Sequence, residues 1–498
     1  MSPPIDSTLS LLFEYDSMYL ILIGTVLGIV VGAIPGLTGS MLIALTLPLT
    51  FTMQPTEAMM LLVSMYVGSI SGGLITATLL RMPGTPASMM TTLDGYPLAQ
   101  SGKPGRALGL GIISSFVGGM VSWIFLILLA RPLAEYSTLL GPFDLFTLVL
   151  MALVLIASVG GSSLAKALFS GFLGIFLAMP GIALATGDLR LTFGISDLNG
   201  GFKLLPVLIG LFAISQIIKD ILHKDQQVNM IPMSRKGMFL GFNDWLKQWG
   251  NMLRSSVIGT WIGILPGIGA NIGSVAAYTV TKNMSKTPEE FGKGSEEGIV
   301  ASESANNATV GGALIPLVTM GIPGSVIDAI LLGALMIHQL QPGPMLFEQN
   351  PIIVYTIMGS FALANIVMLV FMIVAVGWLA KLSKVPKAYL ISSVLSFCVV
   401  GTYAQNNNMF DVWSMIGFGI MGYLMEKKDI PLAPFVIGFV LGPLAEENLS
   451  TGLMSSQGSW LPLIQRPISL TFLIISVILL LFPIIKEYKN KDLEKNGS

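Results

Sequence analysis

The chain has 498 residues, of which 53% are hydrophobic and only 11% are charged, and its net charge is −1. Soluble domains carry roughly 25% charged residues, so most of this chain is predicted to lie within a lipid bilayer. The near-zero net charge excludes the basic surface of a nucleic-acid-binding protein, and the single cysteine, Cys398, excludes a disulfide framework.

Apolar runs follow one another along the chain, and the first is interpreted as a retained helix because no basic residue precedes it. A full crossing needs about 20 apolar residues, and several runs are shorter. The sequence therefore predicts an all-α, polytopic integral membrane protein with roughly 10–13 transmembrane helices, some of them broken and re-entrant-like. The runs are 18–34, 40–53, 58–81, 107–131, 142–158, 163–181 and 203–222, then 253–266, 270–281, 307–322, 325–340, 351–380, 388–402, 411–425, 430–444 and 466–485.

One basic polar stretch divides the chain into two halves. We predict a first transmembrane repeat (1–222), a basic linker (223–252), a second repeat (253–465) and a C-terminal helix with a lysine-rich tail (466–498). The positive-inside rule places the linker and the tail in the cytoplasm and the N-terminus outside. The first repeat then crosses an odd number of times, so the second repeat has the inverted orientation.

Pro-Gly pairs recur in the same order in both halves. Pro35-Gly36 and Pro83-Gly84 in the first half correspond to Pro266-Gly267 and Pro323-Gly324 in the second. Paired breaks in inverted halves indicate the binding site of a secondary transporter. The alternative, that the pairs are simple kinks, is weaker for the symmetric set than for one pair alone.

A helix interrupted at Pro-Gly begins again with unpaired backbone N–H groups, which a carboxylate satisfies well. Small, hydroxyl-bearing or amide-bearing residues follow each break, and they add further hydrogen-bond donors. The alternative is that these side chains bond to their own helix or pack at helix interfaces. The predicted substrate-binding residues are Thr38, Gly39, Ser40, Gly84, Thr85, Ser88, Gly269, Asn271, Gly324 and Ser325.

Four oxygen-bearing side chains form a predicted cation site. Glu303, Asn306 and Asn307 precede the second-half Gly-Gly pair, and such oxygens suit a hard cation such as sodium. Interhelical hydrogen bonding is the alternative for this group. Asp328 lies inside an apolar run, where a carboxylate is a functional candidate, although a plain helix cap is an equal alternative.

Other conspicuous residues receive structural interpretations. Gly24, Gly28 and Gly32 form a small-residue stripe that predicts close helix packing. Asp94 resembles a turn residue, and Glu426 resembles an ordinary loop charge. Arg81 precedes a break and is interpreted as reaching toward the membrane interface, with a carboxylate-binding role as the alternative.

Six strings along the chain resemble the large membrane subunit of the tripartite tricarboxylate transporters, the TctA family. The longest, FGKGSEEGIVASESANNATVGGALIPLVTMGIPGSVIDAILLGAL, covers 291–335. All six occur in the family's order, at 32–51, 82–109, 204–215, 263–278, 291–335 and 440–449.

The resemblance implies a bacterial inner-membrane transport subunit that works with a small membrane subunit of about four helices and a periplasmic solute-binding protein. It implies import of di- or tricarboxylates such as citrate, driven by a sodium or proton gradient by alternating access, with no further cofactor. Sliding of one unit is favoured over rocking. A stand-alone transporter for another organic anion is the alternative. An intramembrane enzyme is disfavoured because the chain has no GxSxG or HExxH motif and only two histidines and one cysteine. The absence of a P-loop motif argues against ATP binding by such a loop.

Overall fold

The structure, a computed structural model, describes residues 5–83, 85, 88–159, 163–183, 186–222, 231–239, 241–267, 269–382 and 387–496. These residues are almost entirely helical. The first-half helices are α1 (Ile5–Leu12), α2 (Tyr15–Gly32), α3 (Gly39–Thr50), α4 (Pro55–Leu80), α5 (Met89–Gln100), α6 (Pro104–Ser137), α7 (Pro142–Val159), α8 (Leu164–Ala178), α9 (Leu204–Ile209) and α10 (Ser215–Leu222).

A π-helical turn (Gly210–Ile214) joins α9 to α10, and a short antiparallel hairpin of β1 (Gly181–Ile182) and β2 (Leu189–Arg190) follows α8. The later helices are α11 (Phe242–Ile264), α12 (Gly269–Met284), α13 (Glu296–Met320), α14 (Val326–Ile337), α15 (Pro344–Gln349), α16 (Pro351–Leu382), α17 (Lys387–Asn406), α18 (Met409–Lys427), α19 (Leu432–Ser455), α20 (Pro462–Gln465) and α21 (Pro467–Asn496).

Two long helices, α4 and α13, occupy corresponding places in the two halves and form the centre of the protein. Every residue of α4 from Ala58 to Leu80 is buried, and so is every residue of α13 from Gly298 to Thr319. On a helix that is buried on all sides, a polar side chain can find a partner only within the protein or in a bound ligand. The buried polar side chains of α4 and α13 are therefore the first candidates for a functional role.

Glycines allow each central helix to approach a neighbour closely. A Cβ atom added to Gly24 of α2 would lie 2.6 Å from the carbonyl oxygen of Leu61 in α4. In the second half, a Cβ atom on Gly263 of α11 would lie 2.5 Å from the carbonyl oxygen of Thr309 in α13. The predicted packing role of the α2 glycine stripe is confirmed, and the same type of contact recurs between α11 and α13.

The halves also pack crosswise, because α6 of the first half lies along α13 and α16 of the second half lies along α4. An ionic cluster reinforces this arrangement at the first turns of three helices. The Arg106 guanidinium donates to Asp244 (2.8 and 2.9 Å) and to Glu296 (2.9 and 2.8 Å). The hydrogen bonds from Arg106 lower the pKa of Asp244 to about 2, so the pairing persists at physiological pH.

The all-helical membrane fold is as predicted. Among the described residues, six helices are long and apolar enough to cross a membrane: Tyr15–Gly32, Pro55–Leu80, Pro104–Ser137, Leu204–Leu222, Pro351–Leu382 and Leu432–Ser455. Several further apolar helices are shorter, as expected for interrupted segments. The total number of crossings, their orientation and the division into repeats remain predictions.

One boundary differs from the prediction. Residues 242–252, which were assigned to the linker, form the first three turns of α11. The Asp244 side chain accepts the Gly241 backbone N–H at 3.1 Å and so caps this helix start. The polar residues of this segment lie on a helix, because capping and the Arg106 cluster stabilise the first turn. Residues 223–230 and 240 lie outside the described part of the chain.

Candidate functional site

The breaks predicted at Pro-Gly pairs are present wherever the structure describes them. Gly36 and Gly267 have φ angles of +91° and +70°, a left-handed conformation that glycine adopts at little cost. The long central helices end in the same way, α4 at Arg81 (φ +56°) and α13 at Gly321 (φ +69°). Each described break therefore separates two helices, and a new half-helix starts after it.

The starts of these half-helices meet around one cavity of about 290 Å³. Both halves contribute residues to it, which is the arrangement expected of a site at a repeat interface. Seven of the predicted substrate-binding residues line this cavity: Thr38, Gly39, Ser40, Thr85, Gly269, Asn271 and Ser325. The sequence pattern therefore correctly grouped residues that line one cavity although they are up to 287 positions apart along the chain.

Two lining hydroxyl groups cap the half-helices that start at the cavity. The Thr38 hydroxyl accepts the Met41 backbone N–H at 3.2 Å at the start of α3. The Ser325 hydroxyl accepts the Asp328 N–H at 3.3 Å at the start of α14. Each cap satisfies one backbone donor of the first turn, and a helix start has four. Capping and ligand binding are thus compatible at both positions.

The other three predicted substrate-binding residues do not line the cavity: two lie behind its wall, and one lies outside the residues that the structure describes. Ser88 is fully buried, and its hydroxyl donates to the Thr85 carbonyl oxygen at 2.8 Å. Gly324 faces the Gly263 carbonyl oxygen, which would lie 2.9 Å from an added Cβ atom. Gly84 lies outside the described residues. Ser88 and Gly324 hold the breaks in place beside the cavity instead of lining it.

Several lining residues were missed by the sequence analysis. Tyr66 projects from α4, Phe212 and Ser215 come from the π-helical turn and α10, and Glu426 comes from α18. Glu426 is not a loop charge: it belongs to α18, where it accepts from Ser215 (2.9 Å) and pairs with Lys219 (2.5 Å). The KK pair that follows Glu426 resembled a loop, and the partner Lys219 is distant in sequence.

Glu303 is held by hydroxyl groups from the first half. Its carboxylate oxygens accept from Thr91 at 2.5 Å and from Ser115 at 3.0 Å, and the side chain is fully buried. Asn307 accepts from Ser71 at 2.7 Å. These bonds match the interhelical alternative considered for the group, while a cation-binding role for Glu303 and Asn307 stays a prediction.

Asn306 differs from its neighbours in this group. Its amide is fully buried, and neither its oxygen nor its nitrogen has a hydrogen-bond partner among the described residues. An unsatisfied buried amide carries an energetic cost that a ligand or a cation would remove. The predicted role of Asn306 as a cation ligand therefore also stays a prediction.

Asp94 is not a turn residue. It lies within α5, is fully buried, and accepts the Tyr278 hydroxyl at 2.8 Å. Its other oxygen accepts the backbone N–H groups of Gly292, Gly294 and Ser295 at 2.8–2.9 Å. A Gly-Tyr-Pro sequence follows Asp94, and this turn signal hid its role as the anchor of the segment that leads into α13.

Asp328 has the opposite environment. It lies in the first turn of α14 and is fully buried, and neither carboxylate oxygen has a hydrogen-bond partner among the described residues. The hydroxyls of Tyr66 and Ser325 are its polar neighbours, and they are 3.1 Å apart. Both hydroxyls belong to cavity-lining residues, so Asp328 lies directly behind the cavity wall.

Arg81 does not line the cavity. Its side chain is exposed and lies over the Tyr96 ring, 5.8 Å from the ring centroid. This position agrees with the interpretation in which Arg81 reaches away from the site. No group of three or more His, Cys, Asp or Glu side chains that could hold a metal ion occurs in the part of the chain that the structure describes.

Comparison with known proteins gives a consistent result. The model of the tripartite tricarboxylate transporter TctA family matches residues 18–437. An Agrobacterium vitis protein, described as an uncharacterized 52.8 kDa protein in the TAR-I ttuC' 3' region, is 33% identical over 473 residues, 94% of each chain. A second Agrobacterium vitis protein, described as an uncharacterized protein in the TAR-II ttuC' 3' region, is 36% identical over 236 residues, which cover 47% of this chain and 98% of that protein. No solved structure matches the chain.

Proposed function

Because the chain belongs to the tripartite tricarboxylate transporter TctA family, we propose that it is the large subunit that carries a small carboxylate through the membrane, driven by a cation gradient. The family establishes a tricarboxylate transporter subunit. The substrate, the coupling ion and the dependence on a binding protein are parts of the proposal.

The observation that carries the proposal is the cavity between the half-helix starts of both halves. Its polar wall consists of hydroxyl groups, the amides of Asn271 and Gln216, backbone donors and the Glu426 carboxylate, whose charge is paired with Lys219. Half-helix N-termini favour negative charge without a fixed counter-ion. The volume of about 290 Å³ is near the lower limit of the roughly 300–1,000 Å³ typical of small-molecule sites. A di- or tricarboxylate such as citrate suits this size and donor set.

Transport in this proposal is alternating access, with import energised by sodium ions or protons. The half-helices that surround the cavity are short, and they are well suited to moving together against α6 and α16. We propose a sliding motion on this ground. Residues that line the cavity from α10 and α18 would then face different neighbours in the two access states.

The proposed partners are a small membrane subunit of about four helices and a periplasmic solute-binding protein, in a bacterial inner membrane. The proposed topology has the N-terminus in the periplasm and the C-terminus in the cytoplasm, on the charge distribution described above. A stand-alone transporter for another small organic anion is the competing form of the same function.

The test is reconstitution of the full chain with its small subunit in liposomes. Uptake of labelled citrate, succinate and benzoate is followed under an imposed sodium or proton gradient, with and without the solute-binding protein. Accumulation that requires both a gradient and the binding protein is the expected result. Accumulation without the binding protein supports the stand-alone form. No accumulation under either gradient contradicts the proposed function.

A further inference from the structure

Asp328 is a buried carboxylate that has no positively charged partner on the described helices packed against it. The helices that pack against α14 are α3, α4, α9, α13 and α19. None of them contains a lysine or an arginine. Lys219 of α10, the helix that contributes Ser215 to the cavity lining, is paired with Glu426. A bare charge in such a place costs several kcal/mol unless something neutralises it.

The titratable side chains on the helices around α14 do not neutralise the charge of Asp328 either. Tyr66 on α4 interacts with Asp328, while α3 and α9 contain no titratable side chain. The acidic residues of the other packing helices include Glu303 on α13 and Glu446 on α19, and Glu446 is paired with Arg190. No described helix that packs against α14 therefore supplies a neutralising charge for Asp328.

The position of Asp328 opposes the binding of an anion. Ser325 caps α14 and lines the cavity, so the first turn of α14 presents its backbone donors toward the bound carboxylate. An ionised Asp328 in that same turn cancels the positive end of the helix and adds a like charge. A neutralised Asp328 restores an N-terminus that attracts the anion.

The two halves differ in charge at this position. Counted from the Pro-Gly breaks, Asp328 is the fifth residue after Pro323, and Ser88 is the fifth residue after Pro83. Ser88 satisfies its hydroxyl locally on Thr85. The charge is thus present at one of the two half-helix starts, which points to a single coupling group and not to a requirement of the helix turn.

We infer that Asp328 is the site at which a monovalent cation, Na⁺ or H⁺, must bind before the substrate carboxylate can occupy the cavity. The inference rests on the proposed function and assigns its coupling to one residue. The oxygens of Tyr66 and Ser325 would join Asp328 as ligands of Na⁺. A proton would need Asp328 alone. In either form, substrate and cation bind together and move together.

The test measures citrate binding to the full-length chain in nanodiscs. Affinity is titrated with and without 100 mM Na⁺ at pH 8 (on the order of physiological ionic strength), and again at pH 6 without Na⁺. The wild type is expected to bind at least about tenfold more tightly when the cation is present, within the roughly 5–150-fold range of such couplings. Asp328→Asn and Asp328→Ser are expected to bind with the high affinity under all conditions.

Transport in liposomes gives the second measurement. Asp328→Asn is expected to exchange internal for external citrate, but to lose most gradient-driven accumulation. Asp411→Asn is the matched control, because Asp411 is also a buried aspartate in the first turn of a helix and lies outside the cavity lining. It is expected to accumulate citrate as the wild type does. Size-exclusion profiles and melting temperatures establish that each variant is folded.

Four results would count against the inference. A folded Asp328→Asn protein that keeps the wild-type dependence on Na⁺ or pH overturns it, and so does one that no longer binds citrate under any condition. A wild type that accumulates citrate, beside an Asp328→Asn variant that accumulates it equally well, overturns the inference alone. A wild type that accumulates none of the carboxylates tested contradicts the proposed function and the inference together.

Discussion

The junction between the two halves and the wall of the cavity bury carboxylates in opposite ways. At the junction, Asp94 accepts four hydrogen bonds and Glu303 accepts two from first-half hydroxyls. At the cavity, Asp328 has no hydrogen bond of regular geometry with the described residues, and the hydroxyls of Tyr66 and Ser325 are the side-chain groups that interact with it. A satisfied buried charge specifies which helices pair, while an unsatisfied one is retained at a cost in stability. The difference separates residues that hold the fold from one that is available to a ligand.

The largest expected effect is at the junction. Asp94→Ala leaves three backbone N–H groups and the Tyr278 hydroxyl without their buried acceptor, and it should lower the free energy of unfolding by about 3–5 kcal/mol. Thermal unfolding in nanodiscs measures the loss. Asp94→Asn keeps one acceptor and should lose much less. An alanine variant that melts at the wild-type temperature would contradict an anchoring role for Asp94.

Replacing Glu303 by glutamine should also lower the free energy of unfolding, but by less than Asp94→Ala does. In Glu303→Gln, one hydroxyl keeps an oxygen acceptor while the other faces the amide NH₂ group and has to accept instead of donate, which should cost about 1–2 kcal/mol of unfolding free energy. The measurement is again thermal unfolding, with Ser115→Ala as a second variant that removes one donor only. If Glu303→Gln were more stable than the wild type, the two buried carboxylates would not differ as described.

Removing the charge of Asp328 should raise the free energy of unfolding instead of lowering it. At pH 8 without Na⁺, Asp328→Asn should raise the free energy of unfolding by about 1–2 kcal/mol, because an unpaired buried carboxylate is replaced by a neutral amide of the same shape. Added Na⁺ or a lower pH should narrow the gap, since either cation stabilises the wild type. A destabilised Asp328→Asn protein would mean that Asp328 is a structural cap.

The smallest effect on stability is expected at Thr85. Its hydroxyl is buried and has no partner among the described residues, so Thr85→Val should change the unfolding free energy by less than about 0.5 kcal/mol. Citrate affinity should fall about fivefold, since one hydrogen bond is worth roughly 1 kcal/mol. Thr78→Val removes another buried, unpartnered hydroxyl that does not line the cavity, and it should leave the affinity unchanged.

Local patterns predicted the parts of the site that depend on backbone geometry. Pro-Gly pairs mark helix breaks directly, so Thr38, Thr85 and Ser325 could be grouped before any contact was known. Residues that reach the cavity from the middle of a helix carry no such mark. Tyr66 and Phe212 resemble ordinary packing residues in sequence, because an apolar cavity wall and an apolar core have the same composition.

The hydrogen-bond partners of the buried acidic residues were harder to predict than the location of the cavity-lining residues. Asp94, Glu303 and Asp328 are all acidic residues in apolar surroundings, and their sequence contexts do not reveal which of them finds donors. The partners of Asp94 and Glu303 are about 190 to 210 positions away along the chain. Such partners depend on how α5 and α6 pack against α13, which is tertiary information.

The π-helical turn at Gly210–Ile214 sets the rotation of α10 relative to α9. A π turn accommodates one residue more than an α-helical turn, and it is commonly kept where a helix serves a site. Deleting one residue there would let α9 and α10 merge into a regular helix and would rotate everything beyond the deletion by about 100°. Ser215 and Gln216 would then leave the cavity wall, and Ser215 would move away from Glu426. Relatives with a shortened segment here should differ in the anions they accept while keeping the rest of the fold.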